Sequence, residues 1–390
     1  MADVRELQAF AESRQASFTE ELRTMVDIDC GSYTPAGVNA IADRCERRFV
    51  QDGWLVERRQ HVPPDGEPQL GDLVIGRTGS GDGSRVLLIG HMDTVFDEGT
   101  AAARPFRTVG TLAYGPGTSD MKGGLLAGFE AVEALRQTGA DSEHTITYIC
   151  NPDEEIGSPF SGPAIRELAV EHDVVFVLES ARANGAVVSA RKGVTDYAIE
   201  LRGRSAHAGV EPEKGASAVL AAAHLTVALH ALNGRWPGVT VNVGVAGGGT
   251  RTNVVPERAD LHVDLRSPDE DSMREAEEAI RAACLETVVP GVEVVLREHG
   301  WHRPMERSGG GGALAELAIM IGKELGLELS EAATGGASDA NTTSAAGVPT
   351  LDGLGPVGGD AHADGEWLDL SSVPVRVALL AALIDRAGDR

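Results

Sequence analysis

A few short segments hold the side chains of this chain that could do chemistry. His91-Met-Asp93 follows directly on an apolar run, and the period of two in an extended chain puts the imidazole and the carboxylate on one side. A neutral imidazole binds a divalent ion best when its other ring nitrogen donates to an acceptor, so His91 is the candidate ligand and Asp93 its orienting partner. Asp120 lies in Tyr114-Gly-Pro-Gly-Thr-Ser-Asp120, where glycines and proline leave little room for regular structure before a helix. Alone it reads as a helix N-cap. Glu154 and Glu155 stand side by side beyond a second apolar run, and Glu179 ends a third. Adjacent carboxylates repel one another unless a cation compensates.

Each of these residues is ordinary by itself, because polar residues normally mark strand ends. Together they place acids and an imidazole on one edge of a sheet, where open α/β folds bind ligands. Oxygen and imidazole donors without a thiolate suit two divalent ions, zinc first and cobalt as the alternative, sharing one carboxylate. One further carboxylate must then remain free as general base.

The elements that would position these groups follow from periodicity. Helices are predicted over 6–26, 39–52, 123–138 and 164–172, and strands over 72–77, 85–90, 145–150 and 174–178. Short apolar runs between helices predict an α/β catalytic domain on a mostly parallel sheet, covered on both faces. From residue 195 the strands alternate: strand 195–201, helix 217–232, strands 240–245 and 259–265, a helix opened by a capping box at Ser267-Pro-Asp-Glu270, and strand 292–296. That β-α-β-β-α-β order predicts an inserted ferredoxin-like α+β lid or dimerisation domain over 190–298, making the catalytic domain discontinuous over 1–189 and 299–390. Further helices are expected near 313–325, after Ser338 and over 375–384, with Gly309–Gly312 as a flexible loop.

Composition narrows the function classes. With 390 residues the chain is long enough for two or three domains. A formal charge of −25 repels phosphate backbones, so no nucleic-acid partner is expected. No apolar run is long enough to span a membrane, and the first residues lack a basic segment followed by an apolar one, so a cytoplasmic protein is expected. Cys30, Cys45, Cys150 and Cys284 have no metal-finger spacing and read as small core residues.

The segments Gly90-His-Met-Asp-Thr-Val95, Tyr114 to Gly124, Asp153-Glu-Glu-Ile-Gly157, Ser205-Ala-His-Ala-Gly209 and Gly359-Asp-Ala-His362 occur in one order over nearly the whole chain. In this the sequence resembles the co-catalytic di-zinc aminoacylase and carboxypeptidase family, and most of all its bacterial glutamate carboxypeptidase (carboxypeptidase G) branch. The resemblance implies that His91 and Glu179 bind one metal, that Glu155 and His362 bind the other, and that Asp120 bridges. It makes Glu154 the general base and Asp93 the orienting residue, and it implies a cis peptide after Asp120. It further implies that His207, assisted by Asn253, stabilises the oxyanion in a neighbouring subunit's site, so a homodimer through the inserted domain is expected.

For substrate binding, Arg303 aligns with an arginine that faces a substrate carboxylate in that branch, and Arg266 ends an alternating strand. A guanidinium suits a carboxylate bidentately. The amides around Gly336, just before a helix, offer a second carboxylate site. The expected activity is metal-dependent hydrolysis of an amide bond next to a free carboxylate, releasing a C-terminal glutamate or similar amino acid from a small molecule or short peptide. The alternatives are an N-acyl amino acid deacylase of the acetylornithine or succinyl-diaminopimelate type, and a metal-bound binding protein without catalysis.

Overall fold

The computed structural model describes residues 1–79, 81, 83–139, 144–286, 289–307 and 309–387. The chain divides into two compact units, one made of Met1–Ser189, Arg307–Ala333 and Ser338–Arg390, the other of Ala190–Glu306 and Thr334–Ala337.

In the larger unit the apolar run Val86-Leu-Leu-Ile89 is fully buried along its whole length. A strand can be buried at consecutive positions only when both faces of its sheet are covered. The sheet runs in the order Leu55–Arg59, Leu73–Thr78, Thr145–Asn151, Arg85–His91, Val174–Val177, Thr350–Leu351. Arg85–His91 is parallel to both neighbours, Thr350–Leu351 is parallel to Val174–Val177, and the first two strands are antiparallel. Helices Val4–Val26, Gly123–Thr138 and Val373–Arg386 pack on one another in the core. Gly124 lets the second of these approach the sheet, since a Cβ there would lie 1.9 Å from the Leu178 carbonyl oxygen.

Four short strands, Arg107–Val109, Leu112–Tyr114, Gly358–Gly359 and Trp367–Asp369, form a small second sheet with Trp367 opposite Tyr114. None is predicted by periodicity, because two or three residues carry no period. Gly309–Gly312 is not a loop; it opens the helix Gly309–Glu324. A Cβ at Gly310 would lie 2.8 Å from Pro349, and one at Gly312 2.8 Å from Arg307, so these glycines serve packing. All four cysteines are buried and free, as core residues should be.

The smaller unit is a four-stranded antiparallel sheet in the order Thr240–Gly248, Arg258–Ser267, Gly193–Arg202, Glu293–His302, with helices Ala218–His230 and Glu270–Leu285. Tyr197, Ile199 and Leu201 alternate onto the buried face with Leu261, Val263 and Leu265. Against them lie Ala276, Ile280 and Cys284 of the expected stripe, whose first member, Met273, is buried as well. Two details differ from the sequence reading. The helix is capped by Asp269, whose side chain accepts from the Ser272 N–H, because Ser267 is still in the strand. The last strand runs to His302 rather than 296, and Arg191 and Met305 extend the pairing through mutual backbone bonds of 2.9 and 3.0 Å, so the unit runs to Glu306 rather than 298 and takes in Thr334–Ala337 as well.

Candidate metal centre

Three adjacent parallel strands end at one edge of the larger sheet. In register, His91 lies opposite Asn151 and Ile89 opposite Val177. The chain beyond each end therefore delivers His91 and Asp93, Glu154 and Glu155, and Glu179 to a common place. Asp120 arrives from Thr118–Lys122, in a turn that precedes the helix beginning at Gly123. That helix has no side-chain cap, so the N-cap reading of Asp120 does not apply. The Asp120–Met121 peptide bond is cis. The small second sheet carries the 360–366 loop, and with it His362, to the same side as Tyr114 and the turn that follows it.

The donors form two sets that share Asp120. His91 Nε2 lies 3.0 Å from Asp120 Oδ1 and 3.5 Å from Glu179 Oε1. His362 Nε2 lies 3.2 Å from Asp120 Oδ2 and 3.1 Å from Glu155 Oε2. In each set one ligand atom from every residue lies within 4.8 Å of the others. The two oxygens of one carboxylate are thus divided between two imidazoles, the geometry of a bridging ligand. Glu155 Oε1 is buried without a hydrogen-bond partner, as befits an atom meant for a cation. The donor set suits two divalent ions of the zinc or cobalt type.

Electrostatics agree with that fit. Burial pushes the Glu155 carboxyl up to about 7 despite its bond to His362, and burial together with the Asp120 charge raises Glu179. Glu154, in neither donor set, is raised well above the carboxylate range, first by burial and then by Glu179, Asp339 and Glu155. Asp120 goes the other way: its bonds to His362 and His91 outweigh burial and hold it well below that range. His362 is pushed up to about 10 by Asp120 and Glu155, and the same kind of contacts hold His91 above its ordinary value against the effect of burial. Without ions the carboxylates outnumber the imidazoles and are relieved only by protons; two dications would replace those protons.

Asp93 does more than the sequence predicts. Its carboxylate is 3.4 Å from His91 Nδ1, which has a closer acceptor, at 3.0 Å, in the Asp93 backbone carbonyl. The carboxylate oxygens accept the N–H groups of Glu154 at 3.1 Å and Glu155 at 3.2 Å, with Ser32 Oγ at 2.6 Å. Asp93 therefore fixes the loop that presents both glutamates. Asp339 holds the same loop farther on, accepting from Ser158 Oγ at 2.6 Å and from the Asn151 amide. Sequence reasoning passed over Asp339, although it follows the glycine segment at 335–336, and over Glu366, four residues after His362. Glu366 is buried and accepts three backbone N–H groups from 117–120.

The remaining candidates lie in the smaller unit. His207 and Asn253 are exposed neighbours: His207 is bridged to Val254, and the Ala208 N–H donates to the Asn253 carbonyl at 3.0 Å. His207 Nδ1 accepts the Gly209 N–H at 3.1 Å, which leaves the ring proton on Nε2. Arg266 donates to both Asp264 oxygens at 3.1 Å and to the Gly335 carbonyl at 2.8 Å, and Arg191 donates to the Gly336 carbonyl at 3.0 Å. Arg303 is paired within its own chain. Its guanidinium donates to Glu270 and, at 2.7 Å, to Glu277.

Residues 87–386 match the model of peptidase family M20/M25/M40. The chain belongs to this family. It is 30% identical over 379 residues to carboxypeptidase G2 of Pseudomonas sp. (strain RS-16), covering 96% of this chain and 90% of that protein. A shorter match, 31% over 209 residues, relates half of the chain to acetylornithine deacetylase of Proteus mirabilis (strain HI4320), covering 52% of that protein. Among solved structures, aminopeptidase PepT from Bacillus cereus ATCC 10987 superposes with a TM-score of 0.78 at 24% identity, covering 96% of this chain and 98% of that one. This M20 chain is thus a metallopeptidase of the carboxypeptidase G type, a hydrolase of peptide or acyl-amino acid bonds. None of its described helices is long and apolar enough to cross a membrane.

Proposed function

We propose that this M20 chain is a glutamate carboxypeptidase-like enzyme that hydrolyses an amide bond adjacent to a free carboxylate and releases a C-terminal glutamate or similar amino acid. The observation that carries the reading is the pair of donor sets sharing Asp120, with Glu154 beside them but in neither. His91 and Glu179 would hold one ion, Glu155 and His362 the other, and Asp120 both. Two divalent ions there, zinc or cobalt, would supply an activated water and polarise the scissile carbonyl. Glu154 accepts the proton of the attacking water and passes it to the leaving amine, a role suited to a carboxyl whose hold on a proton burial strengthens. Asp93 keeps that carboxyl in place through the backbone of residues 154 and 155. His207, with its donor on Nε2 and Asn253 beside it, is assigned to the oxyanion in a neighbouring subunit's site. For the substrate carboxylate, Arg266 and the amides around Gly336 take precedence over Arg303, which is already paired.

A second reading, an N-acyl amino acid deacylase, is favoured by the acetylornithine deacetylase match, which covers half of the chain. Assay of metal-loaded protein on N-acyl-glutamates and on N-acetylornithine decides between them. Glutamate release carries the first reading and turnover of N-acetylornithine alone replaces it with the second, whereas turnover of neither leaves a binding protein.

We further assign the smaller unit to homodimerisation. Thr240–Gly248 is an edge strand without a charged residue, and Val245 on it is 58% exposed, as is Val227, at 71%, on the helix packed beside it. Exposed apolar edges of this kind pair with another chain unless they are blunted. Val245→Lys is expected to convert a dimer to monomer in sedimentation velocity, and an unchanged dimer would refute this surface.

A further inference from the structure

Glu366 is 1% exposed, and its whole carboxylate is committed to backbone. Oε2 accepts the Gly117 N–H at 2.8 Å, and Oε1 accepts Ser119 at 2.8 Å and Asp120 at 3.0 Å. Those N–H groups lie ahead of the helix that starts at Gly123, so no helical carbonyl can meet them, and an anion is the natural acceptor for several donors converging in a turn. One side chain thereby ties the backbone of Asp120 to the loop bearing His362. That loop needs tying: Asp360 and His362 have φ of 55° and 65°, a conformation non-glycine residues hold only when their surroundings impose it. At the loop's outer side Arg104 donates to the Ala363 carbonyl at 3.1 Å and pairs with Asp364 at 3.4 Å, but Asp364 is almost fully exposed. The buried anchor is Glu366. His91 ends one strand of the main sheet and Glu179 follows another, and the hydrogen bonds of Glu366 go to 117–120 rather than to either of them.

We propose that Glu366 is a positioning residue for the set Asp120, Glu155 and His362, and that it governs the metal affinity of this set far more than that of His91, Asp120 and Glu179. The proposal rests on the metal-centre reading above, and the test separates the two. Full-length chelator-treated wild type, Glu366→Gln and His362→Ala are each titrated with Co2+ by calorimetry and visible absorption, with circular dichroism to verify the fold. Glu366→Gln keeps the shape but turns one N–H acceptor into a donor. The expected result is two equivalents in wild type and, in Glu366→Gln, one equivalent within about threefold of wild type and the other weakened by about 10–100-fold. The weakened equivalent should be the one that His362→Ala loses. Glu366→Asp, which keeps the charge but shortens the reach, is expected to fall between and serves as the comparison if Glu366→Gln does not fold. Equal weakening of both equivalents, or no change in either, overturns the role of Glu366 and leaves the metal centre standing. Failure of wild type to bind two equivalents overturns the metal-centre reading itself.

Discussion

Replacing Glu154 by Gln is expected to lower kcat by about 10³-fold, within the range that a positioned proton-transfer group contributes, with two metal equivalents still bound and KM changed by only a few-fold. That loss corresponds to about 4 kcal/mol of transition-state stabilisation. The amide is nearly isosteric and keeps the backbone bond to Asp93, so the loop and the neighbouring ligand Glu155 stay in place. What it cannot do is accept a proton. Because Glu154 belongs to neither donor set, its neutralisation leaves both intact, unlike the same change at Glu155, which is expected to weaken metal as well as turnover. Glu154→Asp, which retains the base at a displaced position, should recover part of the loss. Single-turnover kinetics with metal content measured on the same samples checks this. Near-wild-type turnover of metal-replete Glu154→Gln would remove Glu154 from the reaction and return the role of base to another group.

The sheet edge was legible in the sequence because burial on both faces writes itself as continuous apolar runs, and the polar residue that ends each run must then sit at the edge. His91, Glu154, Glu155 and Glu179 were found that way. His362 was not; only the family resemblance reached it, since it sits on a loop carried by strands too short to have a period. Glu366 escaped because an acceptor for backbone N–H groups leaves no pattern in the residues that donate to it. Arg303 shows the converse limit. Its type and context suit a substrate carboxylate, and its pairing with Glu270 and Glu277 is invisible in the sequence because only the folded helix brings them to it. At the helix cap the error was one of register: Ser267 and Asp269 are both good caps, and the strand's continued pairing through Ser267 decided for Asp269.

Removing the metal is expected to abolish turnover reversibly and to invert the pH dependence of stability. In the metal-free chain Glu155, Asp339 and Glu366 are each pushed up to about 7, chiefly by burial, and His362 up to about 10 by its carboxylate partners. All four bind protons more tightly folded than unfolded, so each contributes stability that is complete below its unfolded value and lost as the pH rises through its folded one. His172 and His302, both lowered by burial, act oppositely, but their window closes near the ordinary histidine value of about 6.5. The metal-free protein should therefore lose stability from mildly acidic pH to about 7, and more slowly up to about 10, since His362 is partly exposed and its share is screened. With ions in excess the sign reverses. The ligands must be deprotonated to coordinate, so binding releases protons and strengthens with pH. A free ion concentration 1,000 times the dissociation constant adds about 4 kcal/mol per site. Melting temperatures measured from pH 5 to 9 with chelator and with excess Zn2+ should diverge as pH rises, and calorimetry in buffers of different ionisation enthalpy should register the released protons. Parallel curves without proton release would mean that His91, Asp120, Glu155, Glu179 and His362 form a self-compensating charge network, with no call for a cation.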